Sequence, residues 1–189
     1  MSGKKTGSYL SSSITVGRYR EMEENRDVEG IIDFFGERIK ERYITPFSHK
    51  EIKNGFIMMA SACLMIESLQ SFWQGWKKSP NSSLAFCQFF SRNPRFDAIR
   101  GLTDEFYANI RCGIMHQGET TAGWHIRRDK QELFDSKTKT IDATIFLAEM
   151  ENALNDYCNA LRSDEWDSEV WNRFRKKMNN VCSNTEIKA

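Results

Sequence analysis

From residue 28 onward, apolar residues recur at the three- and four-residue spacing of a helix face. Val28, Ile31, Ile32, Phe35, Ile39 and Tyr43 predict a first helix over 28–43, with Asp27 or Asn25 as N-cap and Thr45-Pro46 as its stop. Residues 48–76 predict the longest helix. It carries one stripe at Ile52, Phe56, Met59, Cys63, Ile66 and Trp73, and a second at Ile57, Leu64, Met65, Phe72 and Trp76. A helix apolar on two faces is buried on two sides, as the centre of a bundle or a helix shared with a dimer partner. Ser82 or Ser83 caps a short helix bearing Leu84, Phe86, Phe89 and Phe90, which Asn93-Pro94 ends. A helix over 104–115 follows, with Leu102, Phe106, Ile110 and Gly113 inward. Between 122 and 141 the pattern turns to alternation around Trp124, Ile126, Leu133-Phe134 and Ile141, which predicts a small β-hairpin. Asp142 caps a long helix through Leu161, and Asp164 or Ser168 starts a last one through Val181. The fold class is all-α: a helical bundle with a small β-hairpin insert around 122–141. Residues 1–17 are rich in Ser, Gly and Lys, with order beginning near Tyr19, so the expected organisation is a flexible tail, 1–24, and a single helical domain, 25–189.

Composition narrows the function. The 189 residues suit one domain with a real core, and Lys+Arg 27 against Asp+Glu 26 excludes a polycationic nucleic-acid coat. Any anion site must be local. The cationic run Arg173, Arg175, Lys176 and Lys177 reads as the solvated face of the last helix. Five cysteines, an odd number without a C-x-x-C pair, predict reduced thiols. The N-terminus lacks a long apolar run, and the apolar stretch 56–69 is interrupted by Ser61, Glu67 and Ser68. It reads as too short and too polar to span a bilayer. A cytoplasmic protein without membrane attachment is expected. Nucleotide-loop, zincin and nucleophile-elbow motifs are absent, and His116 and His125 have no metal-ligand spacing around them, so no cofactor and no metal are expected.

The chemistry concentrates between Tyr107 and Trp124, which hold His116, with His125 next in the chain. Arg111 precedes His116 by five positions. In a regular α-helix that spacing leaves the side chains about 140° apart. They converge only if the helix ends between them or a second subunit supplies the missing half. Gly118 suits the residue after a helix end, and His116 would lie in the last turn, where the helix dipole favours its cation. A near-neutral imidazole can act as general acid or base, and a guanidinium can clamp a phosphate. Together they suit cleavage of an RNA phosphodiester. The plainer alternative is a structural ion pair of Arg111 with Asp104, Glu105 or Glu67, and a His116 that caps carbonyls. Around the pair, Glu119 could orient His116, and Tyr107 and Asn109 could touch a nucleotide. The cluster Arg127-Arg128 could track an RNA backbone, a solvated turn being its plainer reading. His125 is expected to face solvent.

The run Arg111-Cys112-Gly113-Ile114-Met115-His116 resembles the signature of HEPN domains, an arginine followed at this distance by a histidine. The resemblance covers six residues. It implies an all-α, dimeric protein of toxin–antitoxin, abortive-infection or CRISPR-linked defence. It implies a metal-independent endoribonuclease whose catalytic Arg111 and His116 meet their copies across a two-fold axis, with RNA as substrate. It also implies a partner, either an antitoxin or a nucleotidyltransferase. A non-catalytic helical interaction or nucleotide-binding module keeps the same fold. Cys112 departs from the family's usual polar residue after the arginine.

Overall fold

A computed structural model describes residues 8–47, 54–129 and 131–186. Helix α1, Val16–Glu24, starts where the Thr15 side chain accepts from the Arg18 amide. It buries Val16, Tyr19 and Met22, and Leu10 ahead of it is fully buried. Residues 8–24 therefore belong to the packed domain, although they were expected within a tail at 1–24. Helix α2, Val28–Tyr43, has the expected bounds, with the Asp27 carboxylate accepting from the Gly30 amide at 3.0 Å. The central helix α3, Gly55–Gln74, ends at Gly75 in a left-handed conformation (φ 64°). The start expected for it at 48–53 lies outside the described residues. Helix α4, Ser82–Arg92, is capped by Asn81, whose side chain accepts from the Ser83 amide.

After short helical turns over 94–100 comes the helical run 103–117, here α5. Three strands follow: β1, His125–Arg127; β2, Phe134–Asp135; and β3, Thr140–Asp142. The expected hairpin is β2–β3, which pair antiparallel with Phe134 opposite Ile141. The insert is larger than a hairpin, because β1 adds in parallel to the other edge of β3, placing Ile126 opposite Ile141. Trp124 stacks on Phe134 at 5.3 Å and anchors this sheet in the core. Asp142 then caps α6, Ala143–Ser163, accepting from the Thr144 and Ile145 amides at 2.9 Å each. The last helix, α7, is Glu169–Thr185.

Two aromatic clusters hold the helices together. Phe35 of α2 meets Phe72 of α3, Tyr157 of α6 and Phe174 of α7 at 4.7, 5.6 and 5.4 Å between ring centroids. One side chain thus ties four helices, and burying it contributes roughly 1.5–3 kcal/mol. Phe86, Phe90, Phe106 and Phe146 join α4, α5 and α6 in the same way. Helix α3 lies between these clusters. It is long and apolar enough to cross a membrane by length and composition, with mean hydropathy 1.3, unlike the shorter interrupted stretch read in the sequence. Of that window, 61% is buried inside the fold, as befits the central helix of a bundle.

Candidate functional site

The helix expected over 104–115 is not uniform. Residues Thr103–Phe106 are α-helical, Tyr107–Cys112 form a π-helical turn, and Gly113–Gln117 return to the α conformation. A π turn closes its hydrogen bonds over five residues instead of four, so it spends one residue more per turn and frees backbone groups from the regular ladder. The loop after α5 takes up such a group: the Thr121 amide donates to the Asn109 carbonyl at 3.1 Å. The Thr121 hydroxyl donates to the Asn109 side-chain oxygen at 2.8 Å, and the Asn109 amide donates to the Glu105 carbonyl at 2.9 Å. Asn109 is thus engaged in holding the loop against the helix. Gly113 permits the same closure, since a Cβ there would lie 2.5 Å from the Glu119 carbonyl oxygen. Gly118, with φ 69°, ends the helix in the left-handed conformation.

Arg111 sits inside the π turn and reaches across to α3. Its Nε and Nη2 both donate to Glu67 Oε1, at 3.1 and 3.0 Å, and the two side chains are only 17% and 21% exposed. The Ser82 hydroxyl at the start of α4 donates to the other carboxylate oxygen at 3.0 Å. The guanidinium also lies 5.6 Å from the Tyr107 ring, which packs edge-on against Phe86. Partial burial disfavours the charge on Arg111, but the Glu67 carboxylate outweighs burial and holds the guanidinium pKa above its ordinary value. Burial raises the Tyr107 phenol, against the Arg111 charge. In this pairing the Nη1 amino group takes no part, so one donor edge of Arg111 remains outside it.

His116 lies in the last turn of α5 and is exposed, its side chain making no hydrogen bond or ion pair among the described residues. Glu119 is also exposed, and its carboxylate accepts from the Thr120 amide of its own loop, not from His116. The basic pair of β1 and its end is held by protein groups. Arg127 is ion-paired to Asp129 at 3.1 Å and Glu132 at 3.5 Å. Arg128 donates to Asn54 Oδ1 and to Thr144 Oγ1. His125 is exposed, as expected. The structure therefore gathers Arg111, Tyr107, Glu67 and Ser82 in one cluster, and places His116 at the edge of the same helix. Among the described residues, no three His, Cys, Asp or Glu side chains come together to hold a metal ion.

The helices that supply this cluster also carry exposed apolar side chains. Ile57 and Leu64, seven residues apart on α3, are 55% and 46% exposed, and Met115 of α5 and Leu84 of α4 are 45% and 40% exposed. The motif search in sequence could not find the π turn, because no residue type marks it. Glu67 was legible only as one of three candidate carboxylates. Comparison of the chain with protein-family models, with curated proteins and with solved structures gives no match.

Proposed function

We propose that the protein is a HEPN-like, metal-independent endoribonuclease acting as a homodimer in the cytoplasm, within a defence or toxin–antitoxin system. The observation that supports this reading best is a pre-positioned guanidinium: the half-buried Arg111 is fixed by Glu67 with one donor edge outside the pair, on the helix whose last turn presents His116. The exposed Ile57, Leu64, Leu84 and Met115 support a two-fold interface beside it, because an isologous contact buries the same apolar patch twice and brings two such motifs together. The setting and the partner, an antitoxin or a nucleotidyltransferase, rest on the motif resemblance alone.

In this mechanism the RNA phosphate docks on the outer edge of Arg111. His116 takes the proton of the attacking 2′-hydroxyl, and a second histidine, supplied by the other copy, protonates the leaving 5′-oxygen. Arg111 stabilises the extra charge on phosphorus. Glu67 is a positioning residue, holding the guanidinium rather than touching substrate. The test is cleavage of end-labelled RNA in EDTA by wild type, Arg111→Ala and His116→Ala. Each variant is expected to lose about 10²–10⁴-fold. Full activity in both variants overturns the proposal.

A second reading has its own support. Arg111 is already matched by a carboxylate, as in a structural ion pair, so the fold would serve equally as a non-catalytic interaction module. That module would dimerise or bind its partner with Arg111 and His116 both replaced by alanine.

A further inference from the structure

We propose that the groove between the loop after α3 and helix α7 binds a phosphate-bearing ligand of nucleotide size. Lys77, Asn172, Arg175, Lys176, Asn179, Asn180 and Ser183 line a space of about 500 Å³, within the range of small-ligand sites. Every lining side chain is a cation, an amide or a hydroxyl.

Several cations of the chain are ion-paired, and among the described residues those lining this groove are not. Arg95 pairs with Glu149 and Asp156, and Arg162 pairs with Glu29 and Asp33. Even Arg173, on the same helix, pairs with Glu169. Among the described residues, Lys77, Arg175 and Lys176 have no carboxylate partner. Arg175 is nonetheless held firmly. Its Nη1 donates to the Trp166 carbonyl at 2.6 Å, its Nη2 donates to Asn172, and its guanidinium lies 4.7 Å from the Trp166 ring. Neutral acceptors fix its position and leave its charge uncompensated, which is the arrangement an anion site requires.

The groove wall is also braced. Lys177 Nζ and the Asn180 amide both donate to the Lys77 carbonyl, at 3.1 and 3.3 Å, tying the loop to α7 across about a hundred residues of chain. Burial lowers the Lys177 pKa, and its Nζ is engaged in the brace. With a net charge of only +1 for the whole chain, this excess is local. The uncharged amides and the Ser183 hydroxyl suit the sugar and base edges that accompany a nucleotide phosphate. The ligand could be a free nucleotide or a phosphorylated RNA terminus; both present the same chemistry. The inference does not depend on Arg111 and His116.

The experiment titrates full-length protein with two probes: ATP by calorimetry, and a fluorescein-labelled ten-nucleotide RNA, with and without a 5′-phosphate, by anisotropy. Hydrogen exchange with each probe present maps the contact. Binding by at least one probe is expected, with exchange protection at 76–78 and 172–183. The double variant Lys77→Glu/Lys176→Glu should weaken it by about tenfold or more, as lost phosphate contacts do. Lys137→Glu, an exposed cation elsewhere, should change it less than about twofold. Tighter ATP identifies a free nucleotide, and a preference for the 5′-phosphorylated strand identifies an RNA end. Failure of both probes to bind at millimolar concentration overturns the proposal. So does an equal loss in Lys137→Glu, or protection elsewhere than α7 and its loop. An RNA-cleavage test that fails leaves this result untouched, and the converse also holds.

Discussion

The Glu67–Arg111 pair makes a quantitative prediction through a double-mutant cycle. Both side chains are about one-fifth exposed, between an exposed pair, worth about 0.2–1 kcal/mol, and a buried one, whose breakage costs about 3–5 kcal/mol. Glu67→Ala strands the Arg111 cation against the Tyr107 ring and leaves the Ser82 hydroxyl without its acceptor, so it should cost about 2 kcal/mol. Arg111→Ala should cost less, about 1–1.5 kcal/mol, because the Ser82 hydroxyl still binds Glu67. The double variant removes both charges together and should cost no more than Glu67→Ala alone, a coupling of about 1–1.5 kcal/mol. For a chain of this length, Glu67→Ala then lowers Tm by about 4–8 °C. The assay is urea unfolding followed by tryptophan fluorescence at one fixed protein concentration, since a dimer's apparent stability depends on concentration. Additive single costs, with coupling below about 0.3 kcal/mol, would refute a Glu67 that positions Arg111.

Three further outcomes are expected. Stability should fall as pH rises from about 9 towards 11, measured as the urea midpoint. Burial pushes the Cys158 and Cys182 thiols up to about 11 and raises Tyr19 and Tyr157, so the folded chain keeps protons that the unfolded chain releases from about 9 upward; an unchanged midpoint contradicts this. Gly113→Ala should cost about 1–3 kcal/mol, because its Cβ meets the Glu119 carbonyl and the loop must give; wild-type thermal stability would show that the close approach does not constrain the turn. Leu64→Lys should shift the molecule to a monomer in sedimentation velocity while its circular dichroism is unchanged; a dimer that survives moves the interface elsewhere.

The parts of the fold that were legible in sequence are those set by local chemistry. Asp27 has a short side chain that satisfies the first helix amides, Thr45-Pro46 cannot continue a helix and Asn93-Pro94 stops the next one, so α2 and α4 show in the chain itself, although the cap of α4 is Asn81 and not Ser82 or Ser83. Residues 8–24 were not legible. Leu10 stands in a run of serines, and Val16, Tyr19 and Met22 make only a short apolar face, which becomes core when the rest of the fold covers it. The strand β1 shows in the alternation around Trp124 and Ile126, but its pairing does not: its partner β3 lies parallel and fifteen positions away, beyond the reach of a hairpin pattern. At the site, the motif placed Arg111 and His116 on one helix end, but the π turn is fixed by Asn109 and Thr121 across a loop. Of the three candidate carboxylates, Glu105 goes instead to Lys139, and Glu67 reaches Arg111 across forty-four positions, which no local pattern encodes. Arg127 and Arg128 read as a free basic cluster because Glu132, Asn54 and Thr144 come to them only in the fold.

The most direct test of the proposed chemistry is the structure of the cut ends. Purified protein is incubated with a defined RNA, with its all-DNA counterpart, and with RNA carrying a single 2′-deoxy nucleotide at the cut position, all in EDTA, and the products are weighed by mass spectrometry. Attack by the 2′-hydroxyl predicts an upstream fragment ending in a 2′,3′-cyclic phosphate, one water lighter than the linear phosphate, together with a downstream 5′-hydroxyl, no cleavage at the deoxy position and intact DNA. Cleavage of the deoxy substrate, or fragments carrying a 5′-phosphate, would contradict the assignment of the reaction to Arg111 and His116.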